Sequence, residues 1–107
     1  MSDSDILQRL FALANERKSA DPSSSYVAKL HGKGIGKIAQ KVGEEGLETA
    51  LAAVSEGRDS VIAESADLLF HLTVLWSHLD ISLDEVMQAL EGREGTSGLA
   101  EKAARRD

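Results

Sequence analysis

Two groups of acidic residues are the part of this sequence best suited to chemistry. The first group reads Glu44-Glu45-x-x-Glu48, and the second reads Glu64-x-x-Asp67. Residues three or four apart lie on one face of a helix, so each group presents neighbouring carboxylates if these segments are helical. Carboxylate oxygens are the ligands that hard divalent cations prefer. The spacing therefore predicts a magnesium site, with manganese as the second choice.

The apolar sequence around both groups separates two interpretations of them. Most Glu-x-x-Glu spacings are solvated helix faces with lysine partners, as a non-enzymatic helical interaction module would carry. Here the neighbours are apolar and include Val42, Leu47, Leu51, Leu68, Leu69 and Leu72. Crowded carboxylates in apolar surroundings cannot all stay ionised without a counter-charge. A divalent cation supplies that charge, so we prefer the metal site and keep the interaction module as an alternative.

Three lysines precede both acidic groups in the sequence. Lys37 and Lys41 precede the first group at helical spacing, two turns and one turn before Glu45. They are candidates to bind substrate phosphates, and pairing with Glu44 and Glu45 is the alternative. Lys29 is a weaker phosphate-binding candidate.

The histidines and the single tyrosine are expected to have structural roles. His71 lies four residues after Asp67, where we expect it to hydrogen-bond to Asp67 or to a neighbouring helix. His31 and His78 are expected to face solvent. Tyr26 is expected to pack and anchor a loop rather than to stack on a nucleobase.

Four helices with short connections are predicted to position these residues. Alanine, leucine, glutamate and lysine are common and aromatic residues make up 4%, which favours helix over strand. The predicted helices cover about residues 4–18, 35–55, 59–78 and 82–92. Gly57 suits a helix C-cap, and Ser82 with Glu85 forms a capping box. A short helical turn is expected at 26–30. The predicted fold is an all-α, four-helix, antiparallel bundle-like domain.

Composition limits the class of protein. The 107 residues fit one domain over 1–107, in which the polar segment 93–107 is expected to be a partly mobile tail. A net charge of −6 argues against a nucleic-acid partner. No apolar stretch is long enough to span a membrane and the N-terminus does not read as a signal peptide, so we expect a cytoplasmic protein. The apolar excess of the second and third helices predicts a homodimer.

Longer strings of sequence resemble a known family. The Glu-Glu-x-x-Glu and Glu-x-x-Asp pattern resembles the all-α nucleotide pyrophosphohydrolases of the MazG-like superfamily. Within it, the strings resemble the phosphoribosyl-ATP pyrophosphohydrolase family. These strings are Ser25-Tyr26-x-x-Lys29-Leu30, Lys37-Ile38-x-x-Lys41-Val42-Gly43-Glu44-Glu45, Glu64-x-Ala66-Asp67-Leu68-Leu69-Phe70-His71-Leu72 and Arg93-x-Gly95-x-Ser97-Gly98-Leu99-x-x-Lys102.

The resemblance implies a reaction and a set of roles. It implies magnesium-dependent hydrolysis of 1-(5-phosphoribosyl)-ATP to 1-(5-phosphoribosyl)-AMP and pyrophosphate, the second step of histidine biosynthesis. A general nucleoside-triphosphate pyrophosphohydrolase of the same superfamily is the alternative enzyme. Glu44 would orient water or support the ligands. By the family pattern, the metal ligands would be Glu45, Glu48, Glu64 and Asp67.

Two positions depart from the family pattern. Gly46 stands where a better helix former is expected, and glycine costs about 1 kcal/mol relative to alanine inside a helix. It either allows another helix to approach closely or is neutral variation. Phe70 stands where a tyrosine is common, so no hydrogen-bonding role is assigned to that side chain.

Overall fold

The computed structural model describes residues 5–95 and folds them into five α-helices. The helices are α1 (Asp5–Glu16), α2 (Tyr26–Lys33), α3 (Ile35–Ser55), α4 (Arg58–His78) and α5 (Leu83–Glu94), with a 3₁₀ turn at Arg17–Ser19 after α1. Within 5–95 there is no strand, so the predicted all-α class is confirmed. None of these helices is long and apolar enough to cross a membrane. The tail predicted at 93–107 lies outside the described residues from position 96 onward.

The helix around Tyr26 is where the observed bundle differs most from the predicted one. The sequence predicts a helical turn at 26–30, whereas α2 is an eight-residue helix. Ser25 caps it, because its hydroxyl accepts a hydrogen bond from the Ala28 amide at 3.2 Å. The apolar side of α2 is buried and includes Val27, Ala28 and Leu30.

The core joins α1, α2, α3 and α4. Its buried residues are Ala14, Val27, Leu30, Ile38 and Val74, with Phe70 and Leu75 packed against them. The predicted fourth helix, α5, buries only its first residue, Leu83. The remaining sequence of α5 is mostly polar, so α2 takes the place in the core that the sequence pattern gave to α5.

Helices α3 and α4 form a hairpin that carries both acidic groups. Only Glu56 and Gly57 connect them, and both backbone amides bond to the Ala52 carbonyl. Gly57 has a φ of +139°, a conformation that side chains with a Cβ rarely adopt. The predicted bounds of α3 are confirmed, but its C-cap is Glu56, and Gly57 follows as the N-cap of α4. A connection this short makes the two helices antiparallel neighbours.

Buried polar contacts join the N-terminal helices to the end of α4. The Ser77 hydroxyl donates to Asn15 Oδ1 at 2.6 Å. His31 is 9% exposed, and its ring nitrogens contact the Ala14 carbonyl and His78. The expectation that His31 faces solvent was therefore wrong. Because α2 is a full helix, its last turn holds His31 between α1 and α4.

Two local predictions concern Ser82 and Gly46. The capping box is confirmed: the Glu85 amide donates to the Ser82 hydroxyl at 3.1 Å, and the Ser82 amide donates to Glu85 Oε1 at 3.0 Å. At Gly46, an added Cβ would meet nothing within 4 Å. Among residues 5–95, no neighbouring helix therefore requires a glycine at this position.

Candidate metal centre

Three carboxylates from the α3–α4 hairpin converge at one place. Glu45 and Glu48 lie one turn apart on α3, and Glu64 faces them from α4. One oxygen from each of the three lies within 4.8 Å of the other two. The two-residue connection sets α3 and α4 side by side and antiparallel, so residues at similar distances from it come to the same level.

The burial of this acidic trio favours a bound cation. Glu45 is 7% exposed, Glu64 is half-buried and Glu48 is exposed. The Oε2 atoms of Glu45 and Glu64 are both shielded from solvent, and neither has a hydrogen-bond partner among the described residues. A buried carboxylate oxygen without a donor is costly. An all-carboxylate donor set with two unsatisfied oxygens fits a hard divalent cation.

The protonation of Glu64 reports the crowding in the trio. Glu48, desolvation and then Glu45 raise the pKa of Glu64 from 4.5 to about 7. Two neighbouring carboxylates disfavour a third negative charge, so Glu64 keeps a proton far above the ordinary range. A divalent cation would replace that proton, because its two positive charges neutralise the crowded carboxylates more fully than one proton does.

The fourth expected ligand lies outside the trio. Asp67 follows Glu64 by one helical turn on α4 and is exposed. Among the described residues, the group of mutually close ligand atoms contains Glu45, Glu48 and Glu64 without Asp67. The helix places Asp67 on the correct face, but one turn further along the axis.

Glu44, Lys37 and Lys41 form a second polar group on α3, in which Glu44 is exposed and both lysines are half-buried. The Gln40 amide donates to Glu44 Oε2 at 2.8 Å, and Lys41 Nζ lies 3.5 Å from Glu44 Oε1. The bond from Gln40, with Lys41 and Lys37 as further causes, lowers the pKa of Glu44. Glu44 therefore remains ionised, and among the described residues its oxygens are not part of the group of mutually close ligand atoms.

Lys29 and His71 occupy different positions relative to the site. Lys29 is exposed on α2, with no side-chain hydrogen bond or ion pair to another described residue. His71 is buried, and its Nδ1 lies 2.8 Å from the backbone carbonyl of Asp67. Its Nε2 contacts the Tyr26 hydroxyl at 3.2 Å, so both expected contacts of His71, to Asp67 and to a neighbouring helix, are present.

Tyr26 is the residue near the site that sequence reasoning undervalued. Its hydroxyl bonds to His71, its ring lies against Phe70, and it is 49% exposed. The signal that could have found it is its place in the Ser-Tyr-x-x-Lys string. Helical periodicity carries no such signal, because the contacts of Tyr26 come from α4, far along the sequence.

Comparison with known proteins identifies a family. The family model described as phosphoribosyl-ATP pyrophosphohydrolase matches residues 7–94 of the chain. That range contains all five helices except the first two residues of α1.

Curated relatives match the chain over nearly its full length. The phosphoribosyl-ATP pyrophosphatase of Novosphingobium aromaticivorans is 56% identical over 105 residues, which is 98% of this chain and 98% of the relative. The protein of the same name from Paramagnetospirillum magneticum is 50% identical over 103 residues, 96% of this chain and 94% of the relative. The one from Rhodobacter capsulatus is 54% identical over 99 residues, 92% of this chain and 96% of the relative.

Proposed function

The chain belongs to the phosphoribosyl-ATP pyrophosphohydrolase family, and from this membership we propose the reaction that it catalyses. The proposed reaction is hydrolysis of 1-(5-phosphoribosyl)-ATP to 1-(5-phosphoribosyl)-AMP and pyrophosphate, the second step of histidine biosynthesis. The single structural observation that supports it is the trio of Glu45, Glu48 and Glu64, whose ligand atoms lie within 4.8 Å of one another. The cytoplasmic location expected from the sequence stays part of the proposal.

Magnesium is the proposed cation, and the trio with Asp67 is its proposed ligand set. The two unpartnered oxygens of Glu45 and Glu64 support the trio, since a cation would satisfy both. Asp67 is exposed and lies one turn beyond Glu64, so it would be the ligand on the side of the site that is open to water. When bound, magnesium would neutralise phosphate charge and lower the pKa of water.

The residues of α3 outside the trio have proposed roles toward substrate. Lys41 and Lys37 would bind the phosphates, because they precede Glu45 on α3 by one and two helical turns. Glu44, held ionised by Gln40 and Lys41, would position Lys41 and orient water near the scissile anhydride. Lys29 is a weaker proposed phosphate ligand, since it stands alone and exposed on α2.

A homodimer is also part of the proposal. Five large apolar side chains of the α3–α4 hairpin remain 45–81% exposed, namely Leu47, Leu51, Val54, Ile62 and Leu69. Contiguous exposed apolar residues of this size mark an interaction surface. A second copy of the same hairpin would cover them, and the exposed side of the acidic trio lies on the same two helices.

A pyrophosphate-release assay tests the proposed reaction. The purified chain is incubated with phosphoribosyl-ATP, ATP or dUTP, each with magnesium and with a chelator. We expect magnesium-dependent release from phosphoribosyl-ATP, with a kcat/KM well above that for the other two nucleotides. Equal use of all three would favour the general nucleotide pyrophosphohydrolase. No release from any of them, together with no magnesium binding in calorimetry, would favour the interaction module.

A further inference from the structure

The Tyr26 hydroxyl has one fixed hydrogen-bonding role. His71 Nδ1 lies 2.8 Å from the Asp67 carbonyl, which can only accept, so Nδ1 carries the ring proton. In the neutral ring, Nε2 is then an acceptor, and the Tyr26 hydroxyl 3.2 Å away must donate to it. The polar end of Tyr26 is therefore tied inward to α4.

Aromatic contacts fix the plane of the Tyr26 ring as well. The rings of Tyr26 and Phe70 are nearly parallel, with an interplanar angle of 18° and centroids 6.2 Å apart. The His71 ring stands at 86° to the Tyr26 ring, 6.0 Å away. Despite these contacts, Tyr26 is 49% exposed. A large aromatic surface is thus held rigid and left open to solvent.

The open ring lies beside the site where a nucleotide would bind. His71 connects Tyr26 to the backbone of Asp67, one turn from Glu64. Tyr26 is therefore linked through one side chain, His71, to the backbone of a proposed metal ligand.

We propose that the exposed Tyr26 ring is the binding site for the purine base of the nucleotide substrate, which stacks on it. The inference rests on the proposed function, because it assigns the base-binding part of that site. A ring already fixed by Phe70 and His71 loses little freedom on binding, so stacking keeps most of its free energy. Stacking of the base uses the apolar face of the ring. The hydrogen bond from the hydroxyl to His71 therefore does not compete with it.

Two ligands that differ only in the base isolate this contact. AMP and ribose 5-phosphate share the sugar phosphate, and neither contains an anhydride to hydrolyse. Dissociation constants are measured by NMR titration for the wild type, Tyr26→Leu and the matched control Tyr26→Phe. We expect the wild type to bind AMP about tenfold more tightly than ribose 5-phosphate, the range of base–aromatic stacking. Tyr26→Phe loses the bond to His71 but keeps the ring against Phe70, so it should keep most of that ratio, whereas Tyr26→Leu should reduce it to about one with the affinity for ribose 5-phosphate unchanged.

A direct contact measurement covers the case in which Tyr26→Leu does not fold. The chain has one tyrosine, so its ring protons give an unambiguous signal in the wild type. We expect nuclear Overhauser effects from these protons to H2 or H8 of bound AMP. Their absence at saturating AMP would overturn the proposal, as would equal weakening of both ligands in Tyr26→Leu. A wild type that shows the AMP contact without hydrolysing phosphoribosyl-ATP would instead contradict the proposed function and leave the base site supported.

Discussion

The rings of His31 and His78 stack with centroids 5.2 Å apart, and their Nδ1 atoms lie 3.0 Å from each other. His31 Nε2 lies 3.0 Å from the Ala14 carbonyl and must donate to it. In neutral His31, Nδ1 is then the acceptor and His78 Nδ1–H the donor. A second proton on His31 would reverse the donor and acceptor in this contact, so that His78 would have to move its own proton from Nδ1 to Nε2 to accept it. With His31 neutral, this pair joins α1, α2 and α4 without that rearrangement.

Acid should weaken the folded state through His31. Burial lowers the pKa of His31, the Ala14 carbonyl opposes this, and the charges of His78 and Lys18 lower it further. The unfolded chain, with an ordinary pKa of 6.5, then binds more protons than the folded chain below that pH. We expect the contribution of His31 to the free energy of unfolding, measured in urea as the difference between the wild type and His31→Gln, to be largest above pH 6.5 and to fall as the pH drops from there through the lowered pKa.

The variant His31→Gln provides the control for this pH dependence. Glutamine can still donate to the Ala14 carbonyl, but it does not titrate. We expect a lower free energy of unfolding than in the wild type at pH 8, with a weaker loss between pH 6.5 and pH 5. An unchanged slope would assign the acid sensitivity to other groups. The exposed Lys18–Asp80 ion pair, 2.8 Å apart, contributes little to the free energy of unfolding in the wild type or in His31→Gln.

Removing a charge from the acidic trio should stabilise the metal-free protein. Because the pKa of Glu64 is raised from 4.5 to about 7, the folded state binds more protons than the unfolded state in that window. Its stability therefore falls as the pH rises through the window. Glu64→Gln keeps the shape and cannot ionise, so with a chelator present we expect its Tm at pH 8 to exceed that of the wild type. The same variant should lose magnesium-dependent activity by about 100-fold or more.

Glu56→Gln is the matched control for the trio. Glu56 is an exposed glutamate at the end of α3, in the connection to α4 and outside the trio. The substitution removes the same charge without touching the site, so Tm and activity should stay close to the wild-type values. A similar stabilisation by Glu56→Gln would show that net charge, rather than crowding at Glu64, causes the effect.

Asp67→Asn tests whether the site has three carboxylate ligands or four. If Asp67 completes the site, the variant should bind magnesium about tenfold or more weakly by calorimetry, as Glu48→Gln should. The asparagine side chain keeps its size, and the backbone carbonyl that accepts from His71 is unaffected. Magnesium affinity equal to that of the wild type would restrict the ligand set to the trio.

A charge on the exposed hairpin surface should separate the proposed dimer. Leu51 on α3 is 48% exposed, and Ile62 on α4 is 54% exposed. Burying an unpaired carboxylate costs several kcal/mol, so the double variant Leu51→Glu/Ile62→Glu should sediment as a monomer at micromolar concentration. Leu90→Glu on α5, which is also 54% exposed, is the control and should sediment like the wild type. A monomeric wild type would contradict the homodimer itself.

The convergence of Glu45, Glu48 and Glu64 could be predicted from the sequence because local geometry is sufficient for it. Glu45 and Glu48 share a face because a helix repeats every three to four residues. The Glu56–Gly57 connection sets α4 against α3, so the convergence of Glu64 with them also follows from short-range features. Whether Asp67 acts as a ligand stays a prediction, because one helical turn separates it from Glu64 and its oxygens are not in the group of mutually close ligand atoms among the described residues.

The sequence by itself determined the all-α class, the long α3–α4 hairpin, its glycine connection and the capping box at Ser82. It also determined the spacing of the two acidic groups. All of these depend on residues close together along the chain, where backbone hydrogen bonding and side-chain periodicity decide. Only the tertiary structure decided that α2 enters the core, that His31 is buried against His78, and that Tyr26 is fixed against Phe70 and His71. Each of these contacts joins residues from 17 to 47 positions apart. Such contacts depend on which helix faces bury the most apolar surface together, and no local pattern records that choice.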